Sequence, residues 1–469
     1  MPLFVDLDGT VIRSDLLFES LLWLLRHRPW TLLLAPLWLL RGRARLKYEV
    51  ASRAQLDLAG LPLNPEFDAY LRAEAASGRD LILISASDER LTRRMADHLG
   101  YFVDAIGSDA DTNLKGENKR LRIQYLCGDR EFAYAGDSRA DLAVWRHAQR
   151  VVTVNAPQSL RARIASCDSA PRHFDEPEPA IRSFFRALRS HQWLKNCLLF
   201  LPLLLSHQLA QTELLIAACV GFASFSLCAS SVYLLNDMLD LESDRQHASK
   251  HARPFASGDL SLRVGFVATP LLLGASFAIA ALLGTGFTLT LAGYWLVTLL
   301  YSLSLKSYFL LDAVVLAGLF TARIVAGSEA IGVVTTDWLL AFSLLLFFGL
   351  ALVKRHAELM NLQDAGKSAS AGRGYRTQHL PLLRRLGLVS NLAAIAVFAL
   401  YALTPSTSAL YSQPRLLLLA CPGLILLVLR LWRIARAGEL DEDPVRFAMR
   451  DHWSQLLLAL CALIIWLAI

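Results

Sequence analysis

Apolar residues are spread along this chain in a way that no single soluble globule can accommodate. Residues 1–190 read as mixed sequence apart from one apolar patch, whereas beyond residue 196 long apolar runs recur up to the last residue. Nine such runs can be counted between residues 197 and 469; the first, 197–210, is the shortest, and the last is 453–469. About 20 apolar residues are what an α-helix needs to cross roughly 30 Å of hydrocarbon. The pattern predicts a soluble domain followed by an all-α polytopic membrane domain of about nine transmembrane helices. Composition agrees, with 54% hydrophobic and only 19% charged residues, below the roughly 25% charge of soluble domains.

Charge predicts the orientation. Threading nine spans with the N-terminus inside places 21 Lys and Arg in the inner segments and leaves Arg415 alone in the outer loops, the asymmetry of cytoplasmic loops. The soluble domain is therefore expected in the cytoplasm and the C-terminus outside. The opening MPLFVDLDGT has an acidic motif where a basic leader would stand, which agrees. The net charge of +6 belongs to such loops and does not point to nucleic acid. Seven cysteines without CxxC spacing read as buried free thiols rather than zinc ligands or disulfides.

In the first part, LFV (3–5), LILI (81–84), FAYA (132–135) and VVTV (151–154) are short apolar runs that break into polar turns. This is the rhythm of βα units and predicts an α/β domain with a parallel sheet over residues 1–165. A helical insertion, 15–78, separates the first two strands. Its apolar opening is split by Arg26, His27, Arg28 and Pro29 into arms of about ten residues, too short to span a bilayer. It is either an amphipathic hairpin at the membrane interface or the core of a helical cap. A polar linker, 166–190, contains DEPEPA (175–180), which suits a hinge. The membrane domain then takes residues 191–469.

Asp6 and Asp8 follow the first strand directly and so project from the carboxyl edge, where open α/β sheets bind ligands. Two carboxylates two residues apart, followed by Gly9 and Thr10, suit covalent phosphoryl transfer, in which one attacks phosphorus while the other protonates the leaving group and then activates water. Ser85 follows the second strand; on its own it could be a helix N-cap. Lys119 stands in KGENK, with Lys115 as its competitor, and Asp137 and Asp141 stand in GDSRAD. These four motifs in order resemble the haloacid dehalogenase (HAD) phosphatase superfamily. The resemblance implies a Rossmannoid fold with a cap. It makes Asp6 the nucleophile, Asp8 the general acid/base, Ser85 a phosphoryl hydrogen-bond donor and Lys119 the balancing cation. It also implies a Mg2+ held by Asp6, Asp137 and the backbone carbonyl of Asp8, with Asp141 in support. A P-type ion pump would instead carry DKTGT between spans and a nucleotide-binding insert, and this sequence has neither.

In the second part, Asn236, Asp237, Asp240 and Asp244 form NDMLDLESD at the end of a span. On a helix the three aspartates share one face, where hard oxygen ligands at this density suit Mg2+ holding a diphosphate; a solvated helix end is the plainer reading. The motif resembles that of the UbiA prenyltransferase superfamily, over a region running from HQWLKN, with Lys195, to the C-terminus. The resemblance makes Lys250 and Arg253 donor-phosphate ligands. Where the family usually has a second acidic motif, this chain reads YSLSLKSYFLLD, with Tyr301, Lys306 and a single Asp312. Arg323, eleven residues beyond Asp312, falls on nearly the same face, so an intramembrane pair is expected, either catalytic or a structural brace. Lys354 and Arg355 either contact phosphate or mark a cytoplasmic helix end.

These departures, with VKRHAEL (353–359) and DPVRFAMRDHWS (443–454), resemble the branch typified by decaprenyl-phosphate phosphoribosyltransferase. That branch transfers 5-phosphoribose from phosphoribosyl pyrophosphate to polyprenyl phosphate, supplying arabinose to mycobacterial walls. The resemblance implies a bifunctional enzyme of a bacterial plasma membrane whose HAD half removes the 5-phosphate of the product. An aromatic (4-hydroxybenzoate-type) polyprenyltransferase with a fused phosphatase is the alternative, and a non-catalytic regulatory HAD half is a third.

Overall fold

The computed structural model describes residues 1–164, 167–168, 170–175, 180–247, 249–364, 366, 373–440 and 444–469. Most of the expected hinge (176–179), and Asp443 of the last motif, lie outside the described residues. The chain divides into two compact units, Met1–Arg189 with Tyr233–Leu271, and Ser190–Val232 with Leu272–Ile469. The aspartate-rich segment thus belongs to the same unit as the N-terminal domain.

The first unit is built on a six-stranded, wholly parallel sheet: β1 (Leu3–Val5), β2 (Leu81–Asp88), β3 (Asp104–Ser108), β4 (Ala133–Gly136), β5 (Arg150–Val154) and β6 (Arg172–Phe174), in the order β3-β2-β1-β4-β5-β6. The four expected strands are present. β3 and β6 were not foreseen, because one is broken by Gly107 and Ser108 and the other is three residues long. β6 falls in the segment read as linker, so the sheet extends past residue 165 to Phe174. Chain order reverses at β1, the switch point where a crevice opens at the carboxyl ends of the strands.

Three helices, α1 (Leu16–His27), α2 (Ala35–Leu40) and α3 (Arg43–Arg53), form the cap, with Leu24, Trp38 and Val50 as its small core. Its tip exposes Trp30, Leu33, Leu37 and Leu40, so the segment has the cap core that was one of the two expectations and, beyond it, an apolar exposed tip. The next helix, α4 (Pro65–Ala76), was assigned to the cap but instead buries Phe67 and Leu71 among Leu3, Val5, Leu81 and Leu83 of the sheet. It is the crossover helix between β1 and β2, and the cap ends before it. On the same face, α5 (Glu89–Leu99) adds Met95 and Leu99 to that core, while α6 (Glu117–Cys127) covers the other face, bringing Ile123 and Cys127 to a core with Phe4, Tyr134 and Trp145.

In the second part of the chain, seven helical segments among the described residues are long and apolar enough to cross a membrane: α7 (Thr212–Leu239), α8 (Leu262–Ala281), α9 (Thr285–Leu303), α10 (Leu311–Ile331), α11 (Asp337–Asp364), Thr377–Ala402, which contains α12 (Leu380–Ala402), and Pro414–Arg436, which contains α13 (Ala420–Arg436). Nine was an overcount. The first counted run folds as a 3-10 stretch, Ser190–Phe200, followed by a short helix, Leu201–Leu205, with Pro202 in its first turn; the last is α14 (His452–Ala468), with 17 residues, or about 25 Å at 1.5 Å per residue. Close backbone approach joins the second unit: a Cβ on Gly327 of α10 would collide with the Leu199 backbone, and one on Gly387 of α12 with Trp432 of α13.

Candidate active sites

Three adjacent strands end at the first site. β1 delivers Asp6, β2 carries Ser85 within its last residues, and β4 ends at Gly136, followed by Asp137. Because β2 runs to Asp88, it is Asp88 and not Ser85 that caps the following helix, accepting from the Arg90 amide. Gly9 turns the chain at φ +80°, and a Cβ there would strike the Asp137 carboxylate.

The carboxylates of Asp6, Asp137 and Asp141 gather so that one oxygen of each lies within 4.8 Å of the others, the one such group of metal-capable side chains among the described residues. Lys119, fully buried, stands 3.0 Å from Asp6 and 3.5 Å from Asp141 and donates to the Tyr134 hydroxyl at 2.9 Å. Of the two candidate lysines, Lys119 is the one beside Asp6. Asp141 also accepts from Tyr134 at 2.6 Å and from the Ser138 amide and hydroxyl at 3.0 and 2.8 Å, which fixes its position. Three carboxylates against one ammonium leave an excess of two negative charges, which one divalent cation offsets; the donor set, all oxygen, suits Mg2+. Burial, opposed by Lys119, lifts the Asp6 carboxyl to about 7. Burial and the neighbouring Asp141 and Asp6 raise Asp137 well above the carboxylate range.

The Asp8 carboxylate is held by a separate set of donors. It accepts from the Leu16 amide at 2.9 Å, Ser87 Oγ at 2.5 Å and Ser85 Oγ at 3.2 Å, and burial and Asp15 raise its pKa. Ser85 is therefore engaged with Asp8, and Ser87, which the sequence reading passed over, shares that oxygen. Also missed was Lys47, which reaches in from α3 to donate to the Ala86 carbonyl at 2.5 Å and to Asn113 at 3.2 Å. Burial lowers its pKa, while Asp8 and Asp15 oppose the shift. A basic residue among several in RARLKYEV gave no signal of its own.

The aspartate-rich segment is not one straight helix. α7 ends at Leu239, and Asp240 starts the short helix Leu241–Arg245. Asp237 and Asp244 converge on one guanidinium: Arg253 Nη1 is 3.2 Å from Asp237 and 2.5 Å from Asp244. Arg189, unforeseen because it sat in the presumed linker, is 2.5 Å from Asp237. Asp240 departs from the expected trio and faces Arg26 at 3.4 Å. The buried Asn236 Oδ1 has no hydrogen-bond partner among the described residues, an acceptor that a bound cation or donor would satisfy. Lys250 begins the turn that leads to Arg253.

In the second unit, Asp312 is fully buried and pairs with Arg355 Nε at 2.6 Å, its other oxygen accepting from the Tyr375 hydroxyl. Arg355 also donates to Tyr301 at 3.1 Å and to Glu358 at 2.6 Å, so it is the centre of a network rather than a helix-end marker. The expected Asp312–Arg323 pair does not form. Eleven residues on a helix rise about 16 Å, so sharing a face does not bring the two into contact. Arg323 instead donates to Asn196 at 3.0 Å, Tyr294 at 2.9 Å and the Leu319 carbonyl at 2.5 Å. Lys195 lies over the Phe320 ring at 5.9 Å, Lys306 stands in the turn Leu305–Ser307, and Lys354 precedes Arg355 on α11.

A model of the UbiA prenyltransferase family matches residues 197–467. The chain belongs to that family. A model of haloacid dehalogenase-like hydrolases matches residues 3–146, so this UbiA member carries an N-terminal HAD domain, and the two together make it an enzyme with a multi-pass membrane half. The y4nM protein of Sinorhizobium fredii is 36% identical over 465 residues, 98% of this chain and 90% of that one, and so spans both halves. The nodulation protein NoeC of Azorhizobium caulinodans is 34% identical over 222 residues, 47% of this chain and 71% of its own. Decaprenyl-phosphate phosphoribosyltransferase of Mycobacterium tuberculosis is 28% identical over 288 residues, 60% of this UbiA chain and 92% of its own.

Proposed function

We propose that the UbiA half transfers 5-phosphoribose from phosphoribosyl pyrophosphate to polyprenyl phosphate and that the HAD half removes the 5-phosphate of the product. The observation that carries the reading is the engagement of Asp312 by Arg355 and Tyr375. One acidic motif is left for chelation, and cationic side chains, Arg189 and Arg253, stand on it. A donor with a pyrophosphate and a 5-phosphate calls for such contacts. In the transfer, an oxygen of the lipid phosphate forms a bond to the ribose C1 while the bond from C1 to pyrophosphate breaks. Asp237, Asp244 and Asn236 would hold the donor's Mg2+, and Arg189, Lys250 and Arg253 would bind its phosphates.

In the HAD half, an Asp6 oxygen attacks the 5-phosphorus, the bond to O5 breaks and Asp8 gives O5 its proton. Asp8 then takes a proton from water, whose oxygen displaces phosphate from Asp6. Lys119 and Ser87 orient the two carboxylates. Mg2+ held by Asp6, Asp137 and Asp141 supplies charge neutralisation between the nucleophile and the phosphoryl group. The excess of Lys and Arg in the polar segments supports a cytoplasmic location for the HAD domain, and the apolar cap tip at Trp30–Leu40 suits the membrane interface.

Mass spectrometry of lipids made by the purified protein from polyprenyl phosphate and phosphoribosyl pyrophosphate tests the reading. Wild type is expected to accumulate lipid-linked pentose, and Asp6→Asn lipid-linked pentose phosphate. Prenylation of 4-hydroxybenzoate with no lipid-linked pentose would overturn it.

A further inference from the structure

Part of the UbiA-matching chain stands at the mouth of the HAD site, inside the first unit. Residues 256–266 pack on the Arg13–Asp15 turn that leaves the catalytic loop. Gly258, at φ +81°, approaches Arg13 so closely that a Cβ would collide with its side chain and carbonyl. Arg13 pairs with Asp259 at 3.1 Å, and Phe18 packs on Phe266 with ring centres 5.0 Å apart. These contacts place Arg263, whose guanidinium is 2.5 Å from the Asp15 carboxylate and 5.8 Å from the centre of the Phe18 ring.

The position is close to the chemistry. Asp15 caps α1, and the amide of the next residue, Leu16, is the donor that holds Asp8 at 2.9 Å. The charges of both Asp137 and Asp8 act on Arg263, so the guanidinium lies within electrostatic reach of the acid/base and of the metal-capable group. Its side chain is nevertheless 62% exposed, and one carboxylate does not use up the five donors of a guanidinium. An ion pair this exposed adds little to folding. A planar, permanently charged fork held open at the mouth of an anion-processing site is what bidentate recognition of a phosphate uses.

We infer that Arg263, on the UbiA part of the chain, is a specificity residue of the HAD site that binds the second anionic group of its substrate, the phosphate one ribose away from the phosphomonoester being cleaved. The inference rests on the reading above, in which that group is the phosphodiester joining sugar to polyprenol. It gives the fusion a physical purpose: the phosphatase selects the sugar that is already attached to lipid over free sugar monophosphates.

The test uses the full chain in detergent with ribose 1,5-bisphosphate, whose 1-phosphate stands in for the phosphodiester, ribose 5-phosphate and p-nitrophenyl phosphate. Wild type is expected to show at least a tenfold higher kcat/KM for the bisphosphate than for the monophosphate. Arg263→Ala is expected to lose that preference through KM, and Arg263→Lys to regain part of it. An unchanged ratio in Arg263→Ala, or an equal fall for all three compounds with no recovery in Arg263→Lys, would overturn the inference and leave the sugar-phosphate reading standing. Wild-type turnover of p-nitrophenyl phosphate but of neither sugar would overturn both.

Discussion

Replacing Asp6 with asparagine should make the metal-free protein more resistant to alkaline conditions. In the folded chain the Asp6 carboxyl is lifted from 3.8 to about 7 by burial, against the pull of Lys119. Between those two values the folded state holds a proton that the unfolded state has released, so folding takes up a proton. The contribution of Asp6 is complete below pH 3.8 and is lost as pH rises through 7. Three pKa units correspond to about 4 kcal/mol, of which about 3 kcal/mol falls between pH 5 and 8. In Asp6→Asn position 6 no longer titrates, while Asp8 and Asp137 remain in both proteins. With EDTA present, the variant's melting temperature relative to wild type should therefore rise between pH 5 and 8 by roughly 5–10 °C, given 2–4 °C per kcal/mol for a unit of this size. Differential scanning fluorimetry of both proteins at several pH values reads the difference. Added Mg2+ should reverse the trend in wild type, because a cation among Asp6, Asp137 and Asp141 favours their charged forms. Parallel melting curves for the two proteins from pH 5 to 8 would refute the reasoning.

Three further outcomes follow from other contacts. Gly9→Ala places a Cβ against the Asp137 carboxylate at a left-handed φ and should lower phosphatase turnover at least 100-fold, read by phosphate release. Arg355→Met leaves Asp312 buried without its cation and should cost about 3–5 kcal/mol, whereas Arg355→Met combined with Asp312→Leu should recover most of it; thermal stability in detergent distinguishes the two. Arg253→Ala removes the guanidinium on which Asp237 and Asp244 converge and should raise KM for phosphoribosyl pyrophosphate by about 30-fold, the equivalent of about 2 kcal/mol for a lost charged contact, measured by product mass spectrometry.

The parts of the structure legible in the sequence are those in which neighbours along the chain are also neighbours in space. β1 and Asp6 could be read together because a strand hands its next residues to the sheet edge, and Lys119 could be preferred to Lys115 from its setting. Arg189, Lys47 and Arg263 could not be, since each acts on carboxylates 32 or more residues away through folding that no periodicity records. Asp312 shows the converse error. Its partner was sought on its own helix, where shared facing was mistaken for contact, while Arg355 on α11 and Tyr375 in a polar loop were the groups that reached it. Apolar runs located the membrane helices but overcounted them, because composition does not register that the first run folds largely with 3-10 geometry, leaving an α-helix of only five residues.

The first unit is discontinuous, interrupted after Arg189 and completed only by Tyr233–Leu271, and this sets an order on biosynthesis. At roughly 5–20 residues per second, the ribosome needs about 2–9 s to pass from Arg189 to Tyr233. During that interval the sheet and cap can form, while Arg13, Asp15 and Glu19 still wait for Asp259, Arg263 and Arg245. The helix Thr212–Leu239 must be threaded before those partners emerge. Synthesis of that helix therefore precedes completion of the N-terminal unit, and a chain stopped before Arg245 leaves a nearly finished domain whose charged rim has no counterpart.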